Sequence, residues 1–139
     1  MILIDTSVMV DVLRGNRNEK IKLWENIIER NIKLGISIYT YVEVLQGAKS
    51  EKEFNRLDKY LSSLEIYYLP NAEEIYKSAA KMYYNLRKKG KTIRNTIDIL
   101  IAKTAIINGL YLLHSDRDFD IIAEVIPDLK ICNDLQFFV

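Results

Sequence analysis

Residues that usually announce a chemistry are scarce in this chain. One cysteine, Cys132, and one histidine, His114, occur in 139 residues. A lone thiol excludes an intramolecular disulfide and any cysteine-based zinc site, and it fits a reducing compartment. For Cys132 itself the expectation is a small buried residue in a late strand. Five glycines and two prolines leave no linker or low-complexity composition, and no internal repeat is found. The N-terminus has no basic region and meets Asp5 too early for a signal peptide. Asp98 and Lys103 break the longest apolar region well short of a membrane span, so a soluble, cytoplasmic protein with no membrane partner is expected. A net charge of +1 supplies no global field for nucleic acid or lipid, and any electrostatic signal has to be local.

What remains is an ordinary globular composition, 49% hydrophobic and 28% charged, with length for one domain over residues 1–139. Three apolar residues, Ile2 to Ile4, read as a buried strand running into Asp5, Thr6 and Ser7, with a short helical pattern at Val8, Val12 and Leu13. Ile21, Leu23, Trp24, Ile27 and Ile28 recur at helical period. Ile36 to Ile38 is a strand, and Thr40 opens a helix that Gly47 ends. A charged helix over Ser50 to Ser63, a strand over Ile66 to Leu69 and a long amphipathic helix from Ala72 to about Lys89 follow. Asn95 or Thr96 begins a helix that is apolar on most faces, Tyr111 to Leu113 is a strand, and a short helix from Asp118 to Val125 precedes a last strand at Leu129 to Cys132. Short apolar strands alternating with helices predict a three-layer α/β/α domain around a mostly parallel central sheet of about five strands.

Four acids, Asp5, Glu43, Asp98 and Asp116, fall just after strands or in first helical turns, the rim where ligands of parallel α/β folds bind. Each has a local explanation: Thr40 to Glu43 and Ser115 to Asp118 have capping-box spacing, Asn95 caps a helix whose dipole favours Asp98, and Asp5 can take the N–H groups of its own turn. Asp98 nevertheless opens a helix that is otherwise nearly all apolar, which sets a carboxylate at the edge of the core. Carboxylates brought together there repel one another unless a cation compensates, and an all-oxygen set without a His or Cys partner group suits Mg²⁺ or Mn²⁺.

Asp5-Thr6-Ser7 after the first strand, Tyr41-Val-Glu43-Val-Leu-Gln-Gly47, Thr96-Ile-Asp98-Ile-Leu-Ile-Ala102, and Leu112-Leu-His-Ser-Asp116-Arg-Asp118-Phe119 together resemble the PIN-domain family, most closely its VapC-type toxin ribonucleases. The resemblance runs from the first strand to the last. It implies a metal-dependent endoribonuclease whose catalytic and metal-binding quartet is Asp5, Glu43, Asp98 and Asp116. Asp5, Asp98 and Asp116 are then direct ligands of Mg²⁺ or Mn²⁺, Glu43 acts through water or orients the nucleophile, and Asp118 supports the ligands. Thr6 or Ser7 donates to a phosphate oxygen or to Asp98, or serves only turn and cap chemistry. The family often has Thr where His114 stands; a residue that shapes the strand exit or touches substrate is the reading preferred over a general base, since metal-bound water needs no imidazole.

Arg87, Lys88, Lys89, Lys91 and Arg94 place five positive charges just before the Asp98 helix, behind Tyr83 and Tyr84. The run is either a solvated helix end or a rim that tracks RNA phosphates, with Arg117 assisting. The resemblance further implies a homodimer and a VapB-like antitoxin inserted near the acids. A PIN-like scaffold that binds RNA or a partner without cleaving is the alternative, and a phosphatase or receiver is a more distant one, because Ser7 stands where an Asp-x-Asp phosphatase needs its second acid.

Overall fold

A computed structural model of the chain describes residues 1–136 and Phe138. The elements in chain order are β1 (Ile2–Ile4), α1 (Thr6–Arg14), α2 (Glu19–Glu29), β2 (Leu34–Ser37), α3 (Ile38–Gln46), α4 (Glu51–Ser62), β3 (Glu65–Tyr67), α5 (Glu73–Lys88), α6 (Thr96–Ile107), β4 (Tyr111–Leu113), α7 (Arg117–Val125) and β5 (Lys130–Ile131). The sheet is parallel at every pairing, in the order β3-β2-β1-β4-β5. All three residues of β1 are buried, as an apolar triplet in the middle of a sheet covered on both faces must be.

The pleat divides the core in two. Leu3 and Leu112 point to one side, where Met82 and Leu86 of α5, Ile99, Ala102 and Ala105 of α6, and Phe119 and Ile122 of α7 cover them. Ile2, Ile4, Ile36 and Leu113 point to the other, against Val8, Met9, Ile27, Val44 and Leu61. This is the expected three-layer arrangement. Each fully buried Ile or Leu contributes about 2 kcal/mol, so the helix with most such positions anchors its own N-terminus firmly. For α6, with Ile99, Ile101, Ala102 and Ala105 all buried, the consequence is a rigid mount for Asp98.

The register positions the site. Ile4 pairs with both Ile36 and Leu113, so the residues that follow, Asp5, Ser37 and His114, leave the sheet along one edge. From β1 the chain builds outward on one side to β2 and β3 and on the other to β4 and β5. The crevice between the exits of β1 and β4 is therefore the topological switch point, where parallel α/β sheets bind ligands.

Several local expectations shift. β2 ends at Ser37, whose hydroxyl caps α3 by accepting the Thr40 amide at 3.1 Å, so α3 starts at Ile38 and Thr40 to Glu43 is no capping box. Ser115 does not cap α7 either: Asp116 does, accepting the Asp118 amide at 3.0 Å. β3 covers Glu65–Tyr67 rather than Ile66 to Leu69, because its partner β2 ends at Ser37, opposite Tyr67; at the other end Gly35 permits the close approach of Glu65, since a Cβ there would lie 2.5 Å from the Glu65 carbonyl oxygen. Among the described residues no helix is long and apolar enough to cross a membrane.

Candidate metal centre

Asp5 leaves β1 in extended conformation and caps α1, accepting the Ser7 and Val8 amides at 3.2 and 3.3 Å. Ser7 Oγ donates to its carboxylate at 2.8 to 2.9 Å and accepts the Ser115 amide at 2.9 Å, which ties the exit of β1 to the exit of β4. Glu43 projects from the middle of α3, and Thr6 Oγ1 donates to its Oε1 at 2.6 Å, with the buried Thr40 hydroxyl 3.1 Å away. Asp98 lies in the first turn of α6, whose cap Asn95 accepts the Ile97 amide at 2.9 Å. Asp116, the cap of α7, completes the group.

These residues line one pocket of about 450 Å³: Asp5, Thr6, Ser7, Glu43, Arg94, Asn95, Asp98 and Asp116. One cation, Arg94, is in that lining. Its Nη2 donates to both Asp116 oxygens at 3.2 and 3.3 Å, and its Nε to Asp118 Oδ2 at 3.1 Å. Among the described residues, carboxylate oxygens of Asp98, Asp116 and Asp118 gather mutually within 4.8 Å. Asp118, expected to support the ligands, is buried and stands in that cluster.

The electrostatics match a crowded acidic site. Burial pushes Asp5 up to about 7, against the lowering effect of its hydrogen bonds from Ser7 and Val8. Asp98 is pushed up to about 6, first by burial and then by the charges of Asp116, Glu43 and Asp118. Arg94 is held above its ordinary value by Asp118 and Asp116. Carboxylates with raised pKa values and all-oxygen donors form a set that a hard divalent cation relieves and that offers no soft ligand to compete for it.

Other expectations fall elsewhere. Thr6 and Ser7 donate to Glu43 and Asp5, not to Asp98. His114 is buried, its Nε2 3.0 Å from Asp120 Oδ1 and its Nδ1 accepting the Asp116 amide at 3.1 Å, so it braces the turn that carries Asp116. Desolvation lowers its pKa. Lys88, Lys89, Lys91 and Arg117 are exposed and outside the pocket lining. Tyr83 packs partly buried against the core, with its hydroxyl donating to the Ile93 carbonyl at 3.2 Å. Sequence reasoning did not find Thr40 or Asp120, or the pairing of Arg94 with the acids. Only the opposite charge of Arg94 and two acids hinted at the last.

The family model described as PIN domain matches residues 2–125. Ribonuclease VapC11 of Mycobacterium tuberculosis is 30% identical over 126 residues, covering 90% of this chain and 93% of its own length. Ribonuclease VapC1 of Methanocaldococcus jannaschii is 35% identical over 111 residues, covering 78% and 70%. Among solved structures, VapBC2 from Rickettsia felis bound to a DNA fragment from their promoter has a TM-score of 0.72 at 23% identity, covering 94% of this chain and 97% of that one. VapBC-1 from nontypeable Haemophilus influenzae has a TM-score of 0.67 at 25% identity, covering 96% and 98%.

Proposed function

The chain belongs to the PIN domain family, and from that premise we propose that it is a Mg²⁺- or Mn²⁺-dependent endoribonuclease, the toxin of a VapBC-type pair. One observation carries the chemistry: Asp5, Glu43, Asp98 and Asp116, contributed by four separate parts of the chain, converge on one pocket at the switch point of the sheet. Two of them, Asp5 and Asp98, have raised pKa values, Asp5 chiefly through burial and Asp98 through burial and the charges of its neighbours, which supports reading the pocket as a functional site.

Asp5, Asp98 and Asp116 are the residues assigned to hold the ion, with Asp118 within reach of the last two. What a divalent cation supplies there is Lewis-acid activation of water and charge neutralisation at a phosphodiester. The chain's own contribution is orientation. Ser7 fixes the Asp5 carboxylate, Thr6 fixes Glu43 beside it, and His114 fixes the Asp116 turn from behind. Glu43, partly exposed and aligned by Thr6, is assigned to hold the ion through water or to orient the attacking water.

Residues 1–139 form one domain in this reading: the family match ends at residue 125, and β5 beyond it adds the fifth strand beside β4. The proposed partners are an RNA substrate, a VapB-like antitoxin, in line with the similar fold of a member of the VapBC family of toxin-antitoxin systems, and a second copy of the chain. A cytoplasmic location fits the single thiol, buried with its pKa pushed up to about 11. The alternative, a scaffold that binds without cleaving, draws support from Arg94, which already neutralises part of the acidic set.

The deciding experiment is RNA cleavage by purified protein with Mg²⁺ or Mn²⁺ against EDTA, with Asp98→Asn as the contamination control. Metal-dependent cleavage lost in the variant supports the enzyme. Metal binding without cleavage on a broad RNA panel favours the scaffold.

A further inference from the structure

Among the described residues Arg94 is the one cation lining the pocket, and its guanidinium is committed to carboxylate oxygens. Asp116 and Asp118, which it holds, are two of the three acids whose oxygens gather within 4.8 Å. A guanidinium fork and a divalent cation thus address the same lone pairs, and positive charges side by side repel. The guanidinium reaches the acids from the solvent side: the Arg94 side chain is 74% exposed, against 24% for Asp116 and 7% for Asp118, so the arginine is the partner free to swing away. Its backbone is fixed, with Ile93 buried and bonded by Tyr83 on one side and Asn95 capping α6 on the other. A long side chain on a fixed base at the pocket rim exchanges partners without movement of the chain.

A second partner is available at the same place. A phosphodiester entering this pocket meets four carboxylates and one cationic side chain in its lining, and a guanidinium grips phosphate as it grips carboxylate, through paired N–H donors. Resting on the reading of the pocket as a metal-dependent ribonuclease site, we infer that Arg94 is an exchangeable counterion with two clients. It neutralises Asp116 and Asp118, gives them up when those carboxylates turn to a divalent cation, and passes its guanidinium to an RNA phosphate at the rim.

The signature is a pair of affinities that move in opposite directions. Removing the guanidinium frees the carboxylates for metal and deprives RNA of its contact, whereas loss of a mere structural brace weakens both. The experiment is Mn²⁺ binding by calorimetry to wild type, Arg94→Gln and Arg94→Lys, with KM for RNA measured at saturating Mn²⁺. Arg94→Gln is expected to bind Mn²⁺ roughly five-fold tighter, the scale of a partly exposed ion pair released, and to show a raised KM, with Arg94→Lys between it and wild type. Unchanged or weaker Mn²⁺ binding by Arg94→Gln, beside a wild type that binds, overturns the role of Arg94 alone. A wild type that binds no Mn²⁺ overturns this role together with the ribonuclease-site reading beneath it.

Discussion

On one wall of the pocket Asp5 and Glu43 are held by neutral donors, Ser7 Oγ and two amides for the first and Thr6 Oγ1 for the second, whereas on the other wall the cationic Arg94 holds Asp116 and Asp118. Neutral donors orient a carboxylate without cancelling its charge. Burial then dominates, and Asp5 rises to about 7 despite its hydrogen bonds. A guanidinium cancels charge, and this one does so from a side chain 74% exposed to solvent. The first wall is a fixed template and the second is exchangeable. Asp98, in the first turn of α6, feels the charges of Asp116, Glu43 and Asp118 on top of its burial.

The largest expected effect comes from cutting the template and the Asp98 carboxylate. Asp5→Asn and Asp98→Asn should each lower RNA cleavage by roughly a thousand-fold or more, because each removes a charged oxygen ligand and keeps its shape. Turnover retained by both variants would sink the metal-site assignment. Weakening the donors instead of the acids should matter less: Thr6→Val and Ser7→Ala are expected to reduce kcat by roughly ten- to a hundred-fold, the usual cost of losing a partner that orients a ligand. A loss in Thr6→Val as small as that of an exposed surface change would detach Glu43 from the chemistry.

The comparison also sets a pH dependence. A carboxyl whose pKa rises on folding keeps its proton after the unfolded chain has lost it, so the native state binds more protons and stability falls as pH rises through that window. The window runs from 3.8 to about 7 for Asp5 and from 3.8 to about 6 for Asp98. In EDTA the melting temperature should therefore decline between those values, by about 3 °C or more, and Mg²⁺ should recover most at the alkaline end. Asp5→Asn should flatten the curve; a flat wild-type curve would mean that the first wall is better compensated than its geometry suggests. Smallest is the effect of the exposed run beyond both walls. Replacing Lys88, Lys89 and Lys91 together by Ala should weaken RNA binding a few-fold at low salt and reduce the salt slope, and an unchanged slope would make the run an ordinary solvated helix end.

Much of this was legible in the chain because it is written within a few residues. An apolar triplet before Asp5 specifies a buried strand and a carboxylate at its exit, and the apolar helix behind Asp98 specifies its mount. The errors lie where two residues compete for one local role. Ser37 and Thr40 are both good caps, and so are Ser115 and Asp116; strand register decided the first, because β2 carries Ser37 to the rim, while in the second the Ser115 amide turns to Ser7 and leaves the cap to Asp116. His114 drew notice as the only histidine, yet its two nitrogens are spent on Asp120 and the Asp116 amide, a use no spacing rule shows.

By itself the amino-acid sequence determined the layers, the parallel alternation of strand and helix, and which acids stand at the strand exits, since periodicity and capping act over distances of one or two turns. Only the tertiary structure decided which hydroxyl serves which carboxylate, that Asp118 clusters with Asp98 and Asp116, and that Arg94 reaches across more than twenty residues of sequence to hold two of them. Those contacts depend on where separate strands and helices come to rest, and that is set by the packing of two cores on either face of one sheet.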